Sequence, residues 1–553
     1  MLMVEAFSRL LDLIDEDAAL IDAFGDQTIA RVSISLFQGC FRTLMQQGLD
    51  GSWNASREAS SYAGLILHYA RRICFLQPLR PRVDYAINLV RKYLQSDDDS
   101  VPAFLWIEKV TYMSPMLSKA YYLAALRACN ATVRCTHIGL IGRTLGIQYD
   151  APIMKNYTQV IQQTPLFAQM PEWQICGSGI EASLFEPLLR QRRHEIFTRD
   201  NMKEDKYFSM LPLTWTACNN RAGTPASCTF MFDMMFLSVL GFQVDEFMES
   251  VAGPAFQPDF KELKCLIDEL FSDYNRGSTA INSQTAALRI SNGQLLSATV
   301  YDKVRWPLKR YIQYILHHEA VQQANDRDVY TLRQELKQFL YAHITQAADN
   351  HRLAKSDASQ SFDDPESGFY RWVHTTSADH TGCPYAFAFA GCLISFTSCI
   401  SPSSLSPTSA TPPYNSTKRP AIWQTAEQKY LAADLCRHLS TMCRMYNDYG
   451  SIQRDRDEGN LNSVDFSEFG KADLNAACEE SVAKAALFRL AEYERKGVES
   501  AFAHLVDASE NIASKAATHG RKTDQMGVWR LFVDVTDLYG QIYVVKDIAS
   551  RMK

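Results

Sequence analysis

The chain has 553 residues, of which 46% are hydrophobic and 21% are charged, and its formal net charge is −6. This composition is typical of a globular protein, and the length allows two or three domains or one large helical domain with an appendage. The negative charge, without a basic stripe or a basic-aromatic platform, argues against a nucleic-acid-binding protein.

The first residues give no sign of export or membrane insertion. Acidic residues interrupt the N-terminal apolar pattern and no basic region precedes it, so we expect no signal peptide. We also expect no membrane span, because no window of ~18 uninterrupted apolar residues occurs. The 14 cysteines contain no C-x-x-C pair and are interpreted as buried thiols in a reducing compartment. These features predict a cytoplasmic protein.

Residues 1–125 show a helical apolar pattern, broken at glycines and prolines. One phrase stands at such a break: the stretch 47–53 reads Q-x-x-x-G-x-W, from Gln47 to Trp53. A second helical pattern starts at Glu58. We therefore predict that residues 47–53 form the corner between two helices.

A long apolar helix is predicted to follow a loop, with Ser227 as its N-cap. Its sequence ends in Asp245-Glu246-Phe247-Met248-Glu249, so the carboxylates of Asp245 and Glu249 are one turn apart on one face. At a helix C-terminus these charges repel each other and the negative end of the helix dipole. The arrangement therefore favours a bound cation.

A helical pattern resumes at Tyr370, and the end of the following stretch, residues 379–391, alternates small and aromatic residues. We predict a helix rather than a strand because alanine is a poor strand former, and Gly382 and Pro384 predict a kink in it. Residues 400–423 are rich in Ser, Pro and Thr, which predicts a disordered surface loop.

Near the C-terminus, Asn447, Ser451 and Asp455 are spaced four apart and share one helix face. Amide, hydroxyl and carboxylate oxygens suit a hard divalent cation such as Mg²⁺, which also binds phosphate. Arg444 and Arg454 flank the row and could hold that phosphate. No Ser-His-Asp arrangement, P-loop or dinucleotide fingerprint is present, which gives no support to hydrolase, kinase or dehydrogenase classes.

The stretch 447–455 resembles the N-D-x-x-S-x-x-x-(E/D) motif of class I terpene synthases, with Asp455 where Glu is commoner. The stretch 245–249 is a D-E-x-x-E variant of their D-D-x-x-D motif. The residues of this stretch, D-E-F-M-E, are close to the D-E-F-F-E segment of fungal bifunctional copalyl diphosphate/kaurene synthases. The chain thus resembles the C-terminal, or α, domain region of those enzymes.

This resemblance implies an all-α protein with a class I helical bundle, the α domain, over residues 126–553. The Q-x-x-x-G-x-W phrase is similar to the QW signature of terpene-cyclase α/α-barrels, which implies that residues 1–125 are a partial β domain. The D-x-D-D acid of class II catalysis is absent from the chain: the nearest run, Ser96-Asp97-Asp98-Asp99, has Ser where the first Asp is needed. We expect no protonation-initiated cyclisation from this chain.

The function implied by the resemblance is that of a class I diterpene synthase. The enzyme would ionise geranylgeranyl diphosphate, cyclise the carbocation in an aromatic-lined pocket, and release diphosphate and a cyclic diterpene. The implied metal ligands, which would hold three Mg²⁺ ions, are Asp245, Glu249, Asn447, Ser451 and Asp455. Arg444 and Arg454 would bind the diphosphate. The pocket candidates are Trp215, Met234, Ser238, Phe242, Tyr385, Phe387, Phe389 and Ser440.

Three alternatives stay open from the sequence. The substrate could be copalyl diphosphate made by a class II partner enzyme, or farnesyl diphosphate, as in a sesquiterpene synthase. The chain could also be a helical interaction partner that has lost turnover. A small-molecule prenyl diphosphate is the expected partner, with no nucleic acid and no membrane span, and with a homodimer as a further open alternative.

Overall fold

A computed structural model describes most of the chain. The ranges it describes are residues 1–17, 19–96, 114–133, 151–197, 208, 210–222, 226–257, 260–275, 290–291, 294–295, 298–355, 362, 367–397, 418–470, 477–515 and 519–545. The acidic run at 97–99 and most of the predicted loop at 400–423 lie outside these ranges, so their predicted structure stays a prediction.

The predicted all-α fold is confirmed in the part of the chain that is described. The α-helices are Leu2–Glu16, Ala19–Phe24, Asp26–Met45, Arg57–Ala70, Arg80–Gln95, Pro115–Asn130, Ala151–Gln162, Glu172–Arg193, Met210–Arg221, Cys228–Phe247, Gly253–Phe256, Lys261–Asn275, Ala298–Leu316, Glu319–Gln323, Asp326–Lys355, Phe369–Trp372, Ala378–His380, Cys383–Thr397, Ala426–Glu458, Ala477–Lys515 and His519–Val545. Short 3₁₀ turns lie at Cys74–Leu79, Ser463–Asp465 and Ser467–Phe469, and π-helical turns at Met248–Ala252 and Val373–Ser377. Two-residue strands, Ile290–Ser291 and Gln294–Leu295, form one antiparallel pair.

The Q-x-x-x-G-x-W phrase forms a helix corner, as predicted. Trp53 donates its indole N–H to the carbonyl of Thr43 over 2.9 Å, and Gln47 donates to the carbonyls of Gly51 and Ala86. Gly51 has a φ of +87°, and a Cβ there would lie 2.6 Å from the carbonyl oxygen of Leu89, so this position requires glycine. The corner therefore joins three helices of the N-terminal region.

The proposed boundary at residue 125 falls inside a helix. Pro115–Asn130 is continuous across that position and packs against Arg57–Ala70. The N-terminal region also packs on the rest of the protein, because Phe41 lies so close to Gly177 that a Cβ there would be 2.1 Å from its ring. A division of the chain at residue 125 would cut this helix, and the origin of residues 1–125 as a partial β domain stays a prediction.

The helix that carries Asp245, Cys228–Phe247, begins at the predicted N-cap, where the Ser227 hydroxyl accepts a hydrogen bond from the Phe230 N–H. It does not end after the acidic stretch. A π-helical turn, Met248–Ala252, continues it to Phe256. The expected position of Asp245 and Glu249 at a helix C-terminus is therefore wrong, and their mutual repulsion comes from proximity and burial rather than from the helix end.

The same helix, taken as Cys228–Phe256, is long and apolar enough to cross a bilayer by length and composition alone. Within the described ranges no second helix passes that test. Its most apolar window is 61% buried inside the protein, which is how the central helix of a packed bundle behaves.

The predicted kink is present at Gly382. This residue has a φ of +72° and separates the short helix Ala378–His380 from Cys383–Thr397, which confirms the helical prediction for this stretch. A Cβ at Gly382 would lie 2.9 Å from the Tyr385 ring, so a larger residue would strain the turn.

The helix that carries Asn447 is Ala426–Glu458. Thr425 caps its start in a capping box with Gln428, and Gly459, in the left-handed conformation, ends it. It packs against Ala477–Lys515 and His519–Val545. Gly450 permits the second contact, since a Cβ there would lie 2.5 Å from the Tyr543 carbonyl oxygen.

Candidate active site

A cavity of about 900 Å³ lies between the helix that carries Asp245 and the helix that carries Asn447. The stretches 241–250 and 443–460 therefore face each other across it, although they are far apart in sequence. The polar residues of these stretches that line it are Asp245, Glu246, Glu249, Ser250, Arg444, Asn447, Gln453, Arg454, Asp455, Asp457, Glu458 and Asn460. Six of the seven predicted ligand and diphosphate residues are thus brought to one surface.

The carboxylates of this wall repel one another. Burial raises the pKa of Asp245 well above its usual range, and the charge of Glu249 raises it further. Burial also raises the pKa of Glu249, with a further contribution from the charge of Glu458. Arg444 and Arg454 act in the opposite direction on both groups. A cation placed among these oxygens would relieve the repulsion.

Arg444 is held in place from behind. Its Nε atom lies 2.7 Å from Oδ1 of Asp448, a residue that is fully buried, and its guanidinium donates to the carbonyl of Leu461. Burial works to lower the pKa of Arg444, but the charges of Asp448 and Asp455 outweigh it and raise the pKa. The guanidinium therefore stays cationic at the cavity wall.

Ser451 does not reach the cavity surface in this structure. It is 1% exposed, and its hydroxyl donates to Oδ2 of Asp455 over 2.5 Å. Asn462 donates to the same oxygen over 2.7 Å and to the carbonyl of Asp448 over 2.9 Å. Ser451 and Asn462 together orient the Asp455 carboxylate, and the assignment of Ser451 as a direct metal ligand stays a prediction.

The apolar end of the cavity contains five of the predicted pocket residues, which are Trp215, Met234, Ser238, Phe242 and Tyr385. Trp215 donates its indole N–H to the Ser238 hydroxyl over 3.1 Å. Phe339, Phe532, Tyr539 and Tyr543 add four more aromatic side chains to the cavity lining. The lining is therefore rich in ring faces, with hydroxyl-bearing residues such as Ser238, Tyr385 and Tyr539 among them.

Three predicted pocket residues are not brought to the cavity. Phe387 packs its ring on Trp529, with centroids 4.4 Å apart, and Phe389 packs on His318 at 5.2 Å. The hydroxyl of Ser440 donates to the carbonyl of Cys436 within its own helix. All three residues lie in helices that border the cavity, but the rotation of each helix about its axis turns these side chains into the core.

Two histidines that the motif analysis did not select lie beside Asp245. Nδ1 of His343 is 3.4 Å from Oδ1 of Asp245, and Nε2 of His380 is 3.9 Å from the same oxygen. Burial and the charge of Arg444 lower the pKa of His343 to about 3. Burial lowers the pKa of His380 well below its usual range, and the charges of His343 and then Arg444 lower it further. Both shifts favour the neutral form of the ring.

His343 and Asn462 carry no signal in a single sequence, because nothing in their own neighbourhood marks them. Glu458 could have been found, since it follows Asp455 by three positions and so shares its side of the helix. His380 precedes the turn at Gly382 and also lines the cavity.

The arrangement combines an acidic, oxygen-rich wall with two arginines at one end and an aromatic-lined pocket at the other. The acidic wall can bind divalent cations, and those cations together with the arginines can bind a polyanion such as a diphosphate. The aromatic end can hold an apolar chain. Such a site can stabilise an anionic leaving group while it separates the rest of the molecule from water.

Comparison with known proteins gives relatives along the whole chain. The chain is 36% identical over 555 residues to ent-kaur-16-ene synthase of Fusarium fujikuroi, covering 100% of this chain and 55% of that protein. It is 37% identical over 568 residues to phyllocladan-16-alpha-ol synthase of Phomopsis amygdali, with the same two coverages. Pimaradiene synthase of Emericella nidulans is 36% identical over 575 residues, covering 99% of this chain and 54% of that protein.

The chain thus spans about half the length of the curated relatives that it matches. No protein-family model matches it, and no solved structure matches it. The matched range nevertheless extends over 99–100% of this chain. The chain is therefore similar over its whole length to about half of each of these fungal synthases.

Proposed function

We propose that this chain is a class I diterpene synthase, a lyase that ionises a prenyl diphosphate and cyclises the resulting carbocation. One observation carries the proposal: the acidic stretch at Asp245 and the Asn447–Asp455 row, which are far apart in sequence, face each other across one cavity that ends in aromatic side chains. The relatives are named as ent-kaur-16-ene, phyllocladan-16-alpha-ol and pimaradiene synthases, and these names support the diterpene synthase class.

The acidic wall fits Mg²⁺. Asp245, Glu249, Asn447 and Asp455 offer hard oxygen donors. Burial and then neighbouring acidic groups raise the pKa values of the first two, so a cation at this wall would stabilise their ionised forms. We propose these four as ligands, with Ser451 acting either directly or through Asp455. Bound Mg²⁺, three ions by the family resemblance, would supply charge neutralisation of the departing diphosphate.

The protein's own groups would act on the same leaving group. Arg444 and Arg454 place fixed positive charge on the cavity wall, where developing negative charge is stabilised without reorganisation. Asp448 holds the Arg444 guanidinium from its far side, which fixes its orientation. Ser451 and Asn462 do the same for the Asp455 carboxylate.

The aromatic end would fold the hydrocarbon chain and protect the carbocation from water. A ring face attracts a cation by about 0.5–2 kcal/mol. The rings of Trp215, Phe242 and Tyr385 can therefore stabilise successive carbocation intermediates of the cyclisation. The cavity volume of about 900 Å³ lies at the upper end of the range of roughly 300–1,000 Å³ that encloses organic ligands. This size accommodates a C20 substrate, and we propose geranylgeranyl diphosphate.

The test is to incubate the purified chain and Mg²⁺ separately with geranylgeranyl, copalyl and farnesyl diphosphates and to analyse hexane extracts by gas chromatography with mass spectrometry. We expect a cyclic C20 hydrocarbon or alcohol from geranylgeranyl diphosphate. Product from copalyl diphosphate alone would identify the second enzyme of a relay, and product from farnesyl diphosphate alone would identify a sesquiterpene synthase. No product from any substrate, with a folded protein, would favour an inactive interaction partner.

A further inference from the structure

The end of the cavity at Asp245 contains nitrogen donors as well as oxygen donors. Asp245, His343 and His380 come from three different helices, Cys228–Phe247, Asp326–Lys355 and Ala378–His380. One ligand atom from each of the three lies within 4.8 Å of the other two. The imidazole rings of His343 and His380 have centroids 4.1 Å apart.

Within the described part of the chain, the buried imidazole of His343 lacks the hydrogen bonds that a buried polar side chain normally makes. The residue is 4% exposed, and neither ring nitrogen has a hydrogen-bond partner among the residues that the structure describes. Its Nδ1 atom points towards Asp245 at 3.4 Å, but this contact lacks hydrogen-bond geometry. An unsatisfied buried polar group costs about 1–3 kcal/mol, so a feature that satisfies it is expected.

The spacing of the donor atoms fits one metal ion. Ligand atoms at about 2.0–2.2 Å from an ion lie roughly 3–4 Å from one another in tetrahedral or octahedral geometry. The distances from Asp245 to the two imidazoles, 3.4 and 3.9 Å, lie in that range. All three donor atoms lie within 4.8 Å of one another, so small side-chain movements would bring the two imidazole nitrogens into the same range around an ion.

The surroundings add both signs of charge. Glu249 and Glu246 contribute negative charge from the side of Asp245, and Arg444 contributes positive charge from across the cavity. The edge of the Phe339 ring packs on His343, with centroids 4.7 Å apart, and holds that imidazole in its orientation. The site is thus rigid on one side and open to the cavity on the other.

We propose that Asp245, His343 and His380 form a two-histidine, one-carboxylate site for a borderline divalent transition metal, such as Co²⁺, Fe²⁺ or Zn²⁺, which it binds more tightly than Mg²⁺. Imidazole nitrogen favours these ions, whereas Mg²⁺ favours oxygen alone. The site shares Asp245 with the proposed synthase centre, but metal binding here does not depend on turnover.

The test is a titration of the metal-free, full-length chain with Co²⁺ in excess Mg²⁺, without substrate, followed by visible absorption and calorimetry. We expect one Co²⁺ whose visible bands show nitrogen ligation and that excess Mg²⁺ does not displace. His343→Gln and His380→Gln should each weaken Co²⁺ binding by about 100-fold or more, because each removes a ligand. His374→Gln is the matched control, since His374 hydrogen-bonds to Tyr370 and contacts Glu494 instead, and should leave binding unchanged.

Circular dichroism and thermal unfolding establish that each variant is folded. If His343→Gln does not fold, His380→Gln, whose side chain is 11% exposed, gives the answer. Equal affinity for Co²⁺ and Mg²⁺, or unchanged Co²⁺ binding in both folded histidine variants, would overturn the proposal. Since no substrate is present, failure of this test and failure of the proposed synthase activity are separate results.

Discussion

Asn462 donates a hydrogen bond of 2.7 Å to Oδ2 of Asp455, from a segment that folds back on the end of the helix Ala426–Glu458. Asn462 is 1% exposed and also donates to the carbonyl of Asp448. A cavity-lining carboxylate is thus oriented by a residue outside both sequence motifs. Such supporting residues affect metal affinity although they do not touch the metal.

We expect Asn462→Ala to raise the Mg²⁺ concentration needed for half-maximal turnover by about 10–100-fold, because Asp455 loses a fixed orientation. Steady-state assays across a Mg²⁺ series measure this shift. Asn350→Ala is the matched control: Asn350 accepts from the Leu461 N–H over 2.9 Å and anchors the same segment, but the bond to Asp455 comes from Asn462. An equal shift in both variants would mean that Asn462 acts only as an anchor of the segment.

Removal of the Asp245 carboxylate tests the proposed centre. Asp245→Ala should reduce turnover by about 100-fold or more, because an electrostatic contribution to the leaving group is lost. The helical circular dichroism signal should stay near that of the unchanged protein, since the side chain faces the cavity. Asp434→Asn, on the helix that carries Asn447, changes a half-exposed acid and should leave turnover unchanged. Full product formation by Asp245→Ala would contradict the assignment of this carboxylate.

Gly450 tests the close contact between two helices of the cavity wall. Gly450→Ala places a Cβ 2.5 Å from the backbone oxygen of Tyr543, and backbone cannot move aside cheaply. We expect a loss of about 1–3 kcal/mol in the free energy of unfolding, seen as a lower midpoint in thermal unfolding. At Gly391 the nearest atom is 3.6 Å away, so Gly391→Ala should be neutral or stabilising. Equal midpoints for the two variants would show that the helices adjust freely.

The cluster of Glu494, His374 and His438 should make stability depend on pH. Hydrogen bonds to Glu494 raise the pKa of both histidines. Burial alone would raise the pKa of Glu494, but the histidines lower it to about 2. Asp434 further raises the pKa of His438, and Arg437 acts against the increase at His374.

The signs define a pH window. The histidine contribution is complete below their unfolded pKa of about 6.5 and is lost as the pH rises through the higher folded values. The Glu494 contribution is present above its unfolded value of about 4.3 and is lost as the pH falls towards 2. Thermal unfolding of the unchanged protein and Glu494→Gln should therefore differ most between pH ~4.5 and ~6.5. A difference that is constant from pH 5 to 9 would exclude this linkage.

Local pattern predicted a large part of the site. The period of the α-helix placed Asn447 and Asp455 on one face, and Asp245 with Glu249 on another, and the cap at Ser227 followed from the preference of serine for that position. The same reasoning was wrong about the helix end at Asp245, because a π-helical turn has no signature in residue spacing.

What the local pattern could not decide is how each helix is rotated against its neighbours. Phe387 and Phe389 lie in a helix that borders the cavity, yet both rings pack into the core, whereas Tyr385 lines the cavity. Ser451, in the middle of a recognised row, is turned towards Asp455. These orientations depend on contacts with residues far away in the chain.

The amino-acid order was sufficient for the helical class, the resemblance and the two acidic stretches, because these depend on periodicity and residue chemistry within a few turns of helix. Tertiary structure alone decided that His343 and His380 meet at Asp245 and that Asn462 returns to Asp455. The physical reason is that helical periodicity relates residues only a few positions apart. These contacts instead join segments whose separation in space is set by the packing of the whole bundle.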